Sequence, residues 1–318
     1  MAGSVSELHI SYDLFSIQSM PFKELGLPRF RLDRFASLHV FNPFGKARTL
    51  SNAFLPVLMY HSIGGDRDDH RSSYYQTTTS PQQFAEQVRF LYENGYSSVT
   101  LDAAVDRLRK RSADSTKAVA ITFDDGFEDF YIEAFPILEQ YGFSATMFLP
   151  TSYIGKSAQR FQGKYCLTWD QVRELNAAGV VFGSHTATHP QLHLSEPTEQ
   201  RRELQDSKEA IEQALGSPVH SFSYPYAFPE QDHRFAQRLR ETLAECGYTN
   251  GVSTIVGRAA STDHDFFLKR LPVNDADDLA LFQVKLEGGY DWFHSVQYAS
   301  KVIRSEIRKW HQPWPTTT

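Results

Sequence analysis

The stretch AVAITFDDGFEDF, residues 118–130, decides how the rest of the chain is read. Ala118 to Phe123 form an apolar, β-branched run of strand type, and Asp124, Asp125 and Gly126 end it in a sharp polar turn. Helical spacing follows over 129–141, closed by Gly142 where a left-handed residue is wanted. A strand, a polar turn and a helix in that order make the repeating unit of a parallel sheet.

The same unit recurs on both sides. FLPVLMY (54–60), SATMFL (144–149), VVFGS (180–184), HSFSY (220–224), YTNGV (248–252) and FFLKRLPV (266–273) read as further strands. Between them lie helix candidates opening at Ser80-Pro81 and running to Gly95, then over 101–111, 168–178, 198–215 and 232–246; Gly179, Gly216 and Gly247 follow three of these. Alternation over so many units predicts a closed α/β barrel rather than an open sheet, with chemistry at the C-terminal ends of the strands. The barrel is expected over 52–290, preceded by an N-terminal arm (1–51) and followed by a C-terminal amphipathic helix and tail (291–318). In that helix Phe293, Val296, Ala299, Ile303 and Ile307 share one face, expected to pack on the barrel or on a partner.

Composition bounds the function. With 318 residues, 41% hydrophobic and 22% charged, the chain is globular, and disorder, collagen-like repeats and coiled coils are excluded. A net charge of -6 argues against a nucleic-acid partner. The 14% aromatic content fits a dense core or a sugar-stacking cleft equally well. Cys166 and Cys246 lack any CxxC spacing and are expected to be reduced thiols. Glu7, Asp13 and Lys23 interrupt any signal-peptide pattern, and no apolar run approaches the roughly 18 residues of a membrane span. The expectation is a cytoplasmic, soluble protein whose basic arm residues, Lys23, Arg29, Arg31, Arg34, Lys46 and Arg48, are solvated on an arm wrapping the domain.

Two strings carry the chemistry. Asp124 and Asp125 leave their strand on different sides, so one can bind a metal while the other remains a base. In VVFGSHTATHP (180–190) a second strand delivers His185 and His189, four residues apart, and both can converge on one ion. Asp125, His185 and His189 form a two-His, one-carboxylate set that leaves positions open for water and substrate on zinc or a similar divalent ion. No GxSxG, GxxxxGK[ST] or GxGxxG string is present, which disfavours serine esterases, nucleotide hydrolases and dinucleotide enzymes.

TFDDG, followed by LTWDQVRELNAAG (167–179) and SHTATHP, resembles the polysaccharide deacetylases of carbohydrate esterase family 4. The opening strand PVLMYHSIG (56–64) resembles the branch containing bacterial poly-N-acetylglucosamine deacetylases. The resemblance runs from about Pro56 to Pro272 and implies a distorted (β/α)7 barrel and a metal-dependent hydrolase that removes acetyl groups from N-acetylated sugars of a glycan, oligosaccharide or glycolipid precursor. It implies Asp125, His185 and His189 as holders of the metal, zinc first and cobalt or nickel next, and Asp124 as general base. SYPYAFP (223–229) looks like the family's third motif, in which the N–H of Tyr226 would meet the oxyanion; His61 would be the acid. Tyr60, Tyr224 and Phe127, near the inferred site, are expected to stack on a sugar ring.

Two departures stand out. Ser223 occupies the place of the third motif's Arg, for which Arg270, ending a late strand, is the candidate substitute. A late LxxH motif is not evident; His264 and His294 fit it poorly, which strengthens His61 as the acid. His70, His193, His220 and His233 are read as non-ligands, and Trp169 as packing over the barrel end. The competing readings are hydrolysis of a small amide or imide on the same barrel, and a degenerate glycan-binding module; intact Asp124, Asp125, His185 and His189 count against the second.

Overall fold

The computed structural model describes residues 31–42, 54–65, 77–110 and 117–310, the final six by backbone alone. Seven parallel strands close into a ring: β1 (Val57–Tyr60), β2 (Lys117–Phe123), β3 (Thr146–Leu149), β4 (Val181–Ser184), β5 (Ser221–Ser223), β6 (Asn250–Val256) and β7 (Leu268–Pro272). Each lies within or overlaps a run read from the sequence. Neighbours around the ring are neighbours in the chain, from Tyr60 opposite Phe123 to the closing pair of Leu271 opposite Leu58.

Helices join the strands on the outside: α2 (Pro81–Glu93) and α3 (Leu101–Lys110) between β1 and β2, then α4 (Phe135–Gln140), α5 (Trp169–Ala177), α6 (Pro197–Leu215) and α7 (His233–Glu245), after a short α1 (Leu32–Ala36). Local chemistry sets their limits. Ser80 caps α2 by accepting from the Gln83 N–H with Pro81 in the first turn, Thr168 and Gln171 form a capping box on α5, and α6 ends at Gly216 with φ 68°. The helix expected over 129–141 begins instead as a π turn, Phe130–Ala134. Pro136 has no N–H to give Ile132, so the regular helix starts afresh beside it.

The barrel is distorted because β6 and β7 have no helix between them. The chain returns directly through Ala259–Ala260, which pairs antiparallel with Phe54–Leu55, and the β6–β7 ladder slips between Val252 and Val256. Tyr96–Ser98, a strand not anticipated, pairs with the first residues of β2.

Strand residues Leu58, Ile121, Phe123, Met147 and Phe222 form one buried core with Phe84, Val172, Leu204 and Phe235 of the helices. At about 1.5–3 kcal/mol for each large apolar side chain, this core is the main support of the fold. Both cysteines are free thiols, as expected, and Trp169 packs half-buried against the core.

The ends differ from expectation in instructive ways. Of the arm, Lys23, Arg29, Lys46 and Arg48 lie outside the described residues, as does His70. Within residues 32–42, Tyr290 Oη donates to Asp33 (3.0 Å), Phe41 stacks on Trp292 (4.8 Å) and Arg34 pairs with Asp278 (2.6 Å). This piece is therefore docked beside α8 (Leu279–Leu286) and the start of α9 (Phe293–Trp310), with Arg34 paired to Asp278 at the solvent-exposed surface. Of the residues expected on one apolar face of α9, Phe293 packs against Val256, Leu281 and Tyr290, whereas Val296, Ala299 and Ile303 are exposed and Gln297 and Lys301 turn inward, where partners satisfy both. Ile307 falls where only the backbone is described. No helix among the described residues is long and apolar enough to cross a membrane.

Candidate active site

The C-terminal ends of β1, β2, β4, β5 and β7 each contribute a residue to one point. β2 ends in Asp124 and Asp125, whose turn is held by the Asp124 N–H donating to Tyr60 O (3.0 Å). Asp125 has φ 71° and Gly126 φ 61°, and a Cβ on Gly126 would lie 2.9 Å from Leu149 Cδ2. Glycine is required there both by conformation and by space. His189 (φ 59°) and Tyr226 (φ 59°) also adopt the left-handed region, so non-glycine strain gathers at the residues the motifs singled out.

Asp125, His185 and His189 are brought together and buried. His185 Nε2 lies 3.5 Å and His189 Nε2 3.4 Å from Asp125 Oδ1. Tetrahedral ligands about 2.1 Å from one ion are separated by about 3.4 Å, so the three atoms fit a small divalent cation. The other ring nitrogen of His185 donates to Ser223 O at 2.8 Å, which leaves Nε2 as the lone-pair nitrogen. Asp125 Oδ1, although buried, has no hydrogen-bond partner among the described residues. Burial, then the charge of Asp124, push the Asp125 carboxyl above its ordinary range, and burial pushes both imidazoles below theirs. A buried carboxylate oxygen facing two neutral imidazole nitrogens has the donor chemistry of a metal site.

Asp124 has the opposite environment. Arg270, 0% exposed, holds it in a fork, Nη1 to Oδ1 at 2.8 Å and Nη2 to Oδ2 at 2.7 Å. The remaining donors of the guanidinium reach Ser253 O (2.9 Å), Thr122 Oγ1 (3.2 Å) and Ser223 Oγ (3.1 Å), so all five N–H groups are satisfied. Ser223 Oγ in turn donates to Asp124 Oδ1 at 3.1 Å. Burial alone would raise the Asp124 carboxyl, but the charge and hydrogen bonds of Arg270 hold it well below the usual carboxylate range. Two adjacent aspartates are thus driven apart. His61 Nε2 stands 4.0 Å from Asp124 Oδ2, and burial lowers its imidazole to about 4 against the opposing pull of Asp124.

The loop carrying both histidines is fixed by a residue that the motifs did not flag. Glu203 of α6, 4% exposed, accepts from Ala187 N (2.9 Å), Thr188 N (2.8 Å) and Thr188 Oγ1 (2.7 Å). Its only sequence signal is a carboxylate beside the apolar positions Leu204 and Ile211, on the face that α6 buries. A hairpin, Arg160–Phe161 with Lys164–Tyr165 turning at Gln162-Gly163, was also missed. It sets Phe161 edge-on to His189 at 5.1 Å, while the Tyr226 ring lies 4.6 Å, centroid to centroid, from the same imidazole.

The three aromatic residues expected to stack on sugar do not. Tyr60 and Tyr224 are 1% exposed and Phe127 3%. Tyr60 packs between Phe84 and Phe123, Tyr224 between Phe228 and Phe235, and the Phe127 backbone bridges to Cys166 under the hairpin. Their rings belong to the core because strand ends beside the ring face inward. Tyr226, 42% exposed, is the aromatic side chain of this group that solvent reaches. His193 approaches Tyr224 Oη and His294 pairs with Glu230, so neither joins the cluster.

Comparison with known proteins gives the following. Residues 111–251 match the polysaccharide deacetylase family model. The Bacillus subtilis protein YxkH, assigned by name to the polysaccharide deacetylases, is 32% identical over 240 residues, 76% of this chain and 78% of that protein. The poly-β-1,6-N-acetyl-D-glucosamine N-deacetylase of Escherichia coli K12 is 31% identical over 144 residues, 42% of this chain but 21% of the enzyme. Among solved structures, the Streptococcus pyogenes deacetylase PplD in complex with acetate superposes with a TM-score of 0.64 at 25% identity, covering 73% of this chain and 98% of that one.

Proposed function

This chain belongs to the polysaccharide deacetylase family, and from that premise we propose that it hydrolyses the acetamido group of N-acetylated sugars in a glycan or glycan precursor, with zinc in the Asp125–His185–His189 site. The observation that carries this reading is the pairing of two unlike carboxylates: Asp124 kept anionic by Arg270 beside Asp125, which faces two imidazole nitrogens.

A divalent ion in the site supplies Lewis acidity toward water and toward the acetamide carbonyl. Asp124, oriented by the Arg270 fork, accepts a proton from the attacking water. The Tyr226 N–H is the donor for the oxygen that gains charge as the carbonyl carbon becomes tetrahedral. His61, lowered to about 4 and therefore neutral at rest, takes up a proton beside Asp124 and returns it to the departing amine nitrogen. A neutral resting His61 is consistent with this shuttle, since the proton it delivers originates in the water. Asp124, Asp125, His185 and His189 are buried while Tyr226 is exposed, which suits an acetamido group directed inward and a sugar ring held at the rim against Tyr226. The nitrogen and oxygen donor set favours zinc, with cobalt and nickel as workable substitutes.

The test is release of acetate from N-acetylglucosamine oligomers by protein loaded with zinc, cobalt or nickel, against a chelated control. Metal-dependent acetate release supports the reading. Release undiminished by chelation, or none with any of the three ions, rejects it.

A further inference from the structure

Beyond Phe293, which packs against Val256, Leu281 and Tyr290, the α9 helix meets the barrel through polar side chains. His294, Gln297 and Lys301, spaced i, i+3 and i+7, share the inward face, while the apolar residues Val296 and Ile303 are left in solvent. A helix docked through hydrogen bonds is held in one register, because a slip or rotation would leave those bonds unmade.

The bonds lead to one loop. Gln297 Nε2 donates to Thr254 O (2.9 Å), and Gln297 Oε1 accepts from Val256 N (3.0 Å). Thr254 Oγ1 donates to Tyr226 O (2.9 Å) and accepts from Phe228 N (2.8 Å). Farther along the same loop, Glu230 accepts from His294 Nε2 (2.8 Å) and Lys301 Nζ (2.9 Å). The loop from Tyr226 to Glu230 is therefore tied to α9 directly at Glu230 and, at its Tyr226 end, through Thr254 of β6. Tyr226 has φ 59°, a conformation costing a non-glycine residue about 1–3 kcal/mol, which persists only where the surroundings over-determine it.

We propose that α9 is a clamp on the Tyr226 loop, and that Gln297, Lys301 and His294 are positioning residues aiming the Tyr226 N–H at the oxyanion. The clamp rests on the deacetylase reading above for its catalytic consequence and on geometry alone for its existence. Removing an oxyanion donor costs about 10²–10³-fold in kcat, and a donor that is retained but loosely aimed forfeits part of this. In Gln297→Leu the expected result is a fall of about 10–100-fold in kcat with KM and zinc affinity unchanged. Affinity for a tetrahedral phosphonate analogue of the acetamide falls in the same proportion, and backbone hydrogen exchange over 226–230 quickens.

Lys301→Met gives the same pattern more weakly, so the clamp remains testable if Gln297→Leu fails to fold. Lys301→Arg, which keeps a cation against Glu230, restores wild-type values, and Ile303→Ser on the outward face changes nothing. Wild-type kcat and wild-type exchange in both Gln297→Leu and Lys301→Met overturn the clamp, as does a loss carried by KM or zinc affinity. If zinc-loaded wild-type protein releases no acetate, the deacetylase reading falls, and exchange over 226–230 still decides the clamp.

Discussion

Arg270 and Asp124, 146 residues apart in the chain, meet fork to fork inside the barrel at 2.8 and 2.7 Å, with neither exposed to solvent. The pair is buried yet fully hydrogen-bonded, which is the condition under which two desolvated charges are tolerated. Its importance is functional: it fixes both the charge and the orientation of the proposed base.

Arg270→Met should therefore damage both stability and turnover. It leaves Asp124 buried without its cation, a loss of about 3–5 kcal/mol by the usual behaviour of broken buried pairs. Arg270→Lys keeps the charge but not the two-pronged geometry, and should fold while losing most of kcat. Asp124→Asn should retain zinc and lose activity. Denaturant melts and acetate-release kinetics on the three variants check this, and an active Asp124→Asn would remove Asp124 as base.

Zinc should stabilise the protein as well as activate it, since the three ligand atoms converge only in the folded chain. At a free zinc concentration one hundred times the dissociation constant, the gain is about 2.7 kcal/mol. Thermal melts with and without chelator should show it. In Asp125→Ala or His189→Ala the zinc-dependent rise in Tm should vanish, while the chelated proteins melt close to chelated wild type.

How far the sequence revealed this site depends on what kind of signal each residue left. Asp124, Asp125, His185 and His189 were legible because they lie in two short, unusual strings that each directly follow an apolar strand. Arg270 was legible only through a vacancy, with Ser223 standing where an Arg was wanted and a late strand, β7, carrying a basic residue. Tyr60, Tyr224 and Phe127 were misjudged because nearness to a motif in sequence does not fix which way a ring points. Tyr60 ends a strand enclosed between β2 and β7, whereas Tyr226, beyond its strand and in a left-handed turn, is thrown outward. In α9 the reason is related: spacing identifies a face but not what covers it, and hydrogen-bonding partners on β6 and at Glu230 turn Gln297 and Lys301 inward while Val296, Ala299 and Ile303 stay exposed.

Glu203 offers a sharper test of the histidine loop than either ligand does. Its carboxylate gathers two backbone N–H groups and a hydroxyl from Ala187 and Thr188, two of the three residues between His185 and His189. In Glu203→Ala those donors lose their acceptor, the loop loosens, and zinc affinity should drop about 10–100-fold, the range seen when outer supports of a metal site are removed. Glu203→Gln keeps one acceptor oxygen and should fall between. Competition against a zinc chelator measures it; wild-type affinity in Glu203→Ala would show that the loop holds its shape unaided.

His61 makes the stability of the metal-free protein depend on pH in a definite direction. Its imidazole is lowered by burial to about 4, against an ordinary value near 6.5 in the unfolded chain. Between these values the unfolded chain carries a proton on His61 that the folded chain refuses, so acid favours unfolding and stability rises with pH. The effect is complete above about 6.5, where neither state is protonated. His61→Gln removes this titration while keeping a polar side chain. Urea melts of chelated wild type and His61→Gln across pH 4 to 7 should give a shallower dependence in the variant, with the two curves differing most in slope near pH 5. Parallel slopes would mean that His61 titrates normally in the fold, and a proton shuttle that begins from a neutral imidazole would then have to be abandoned.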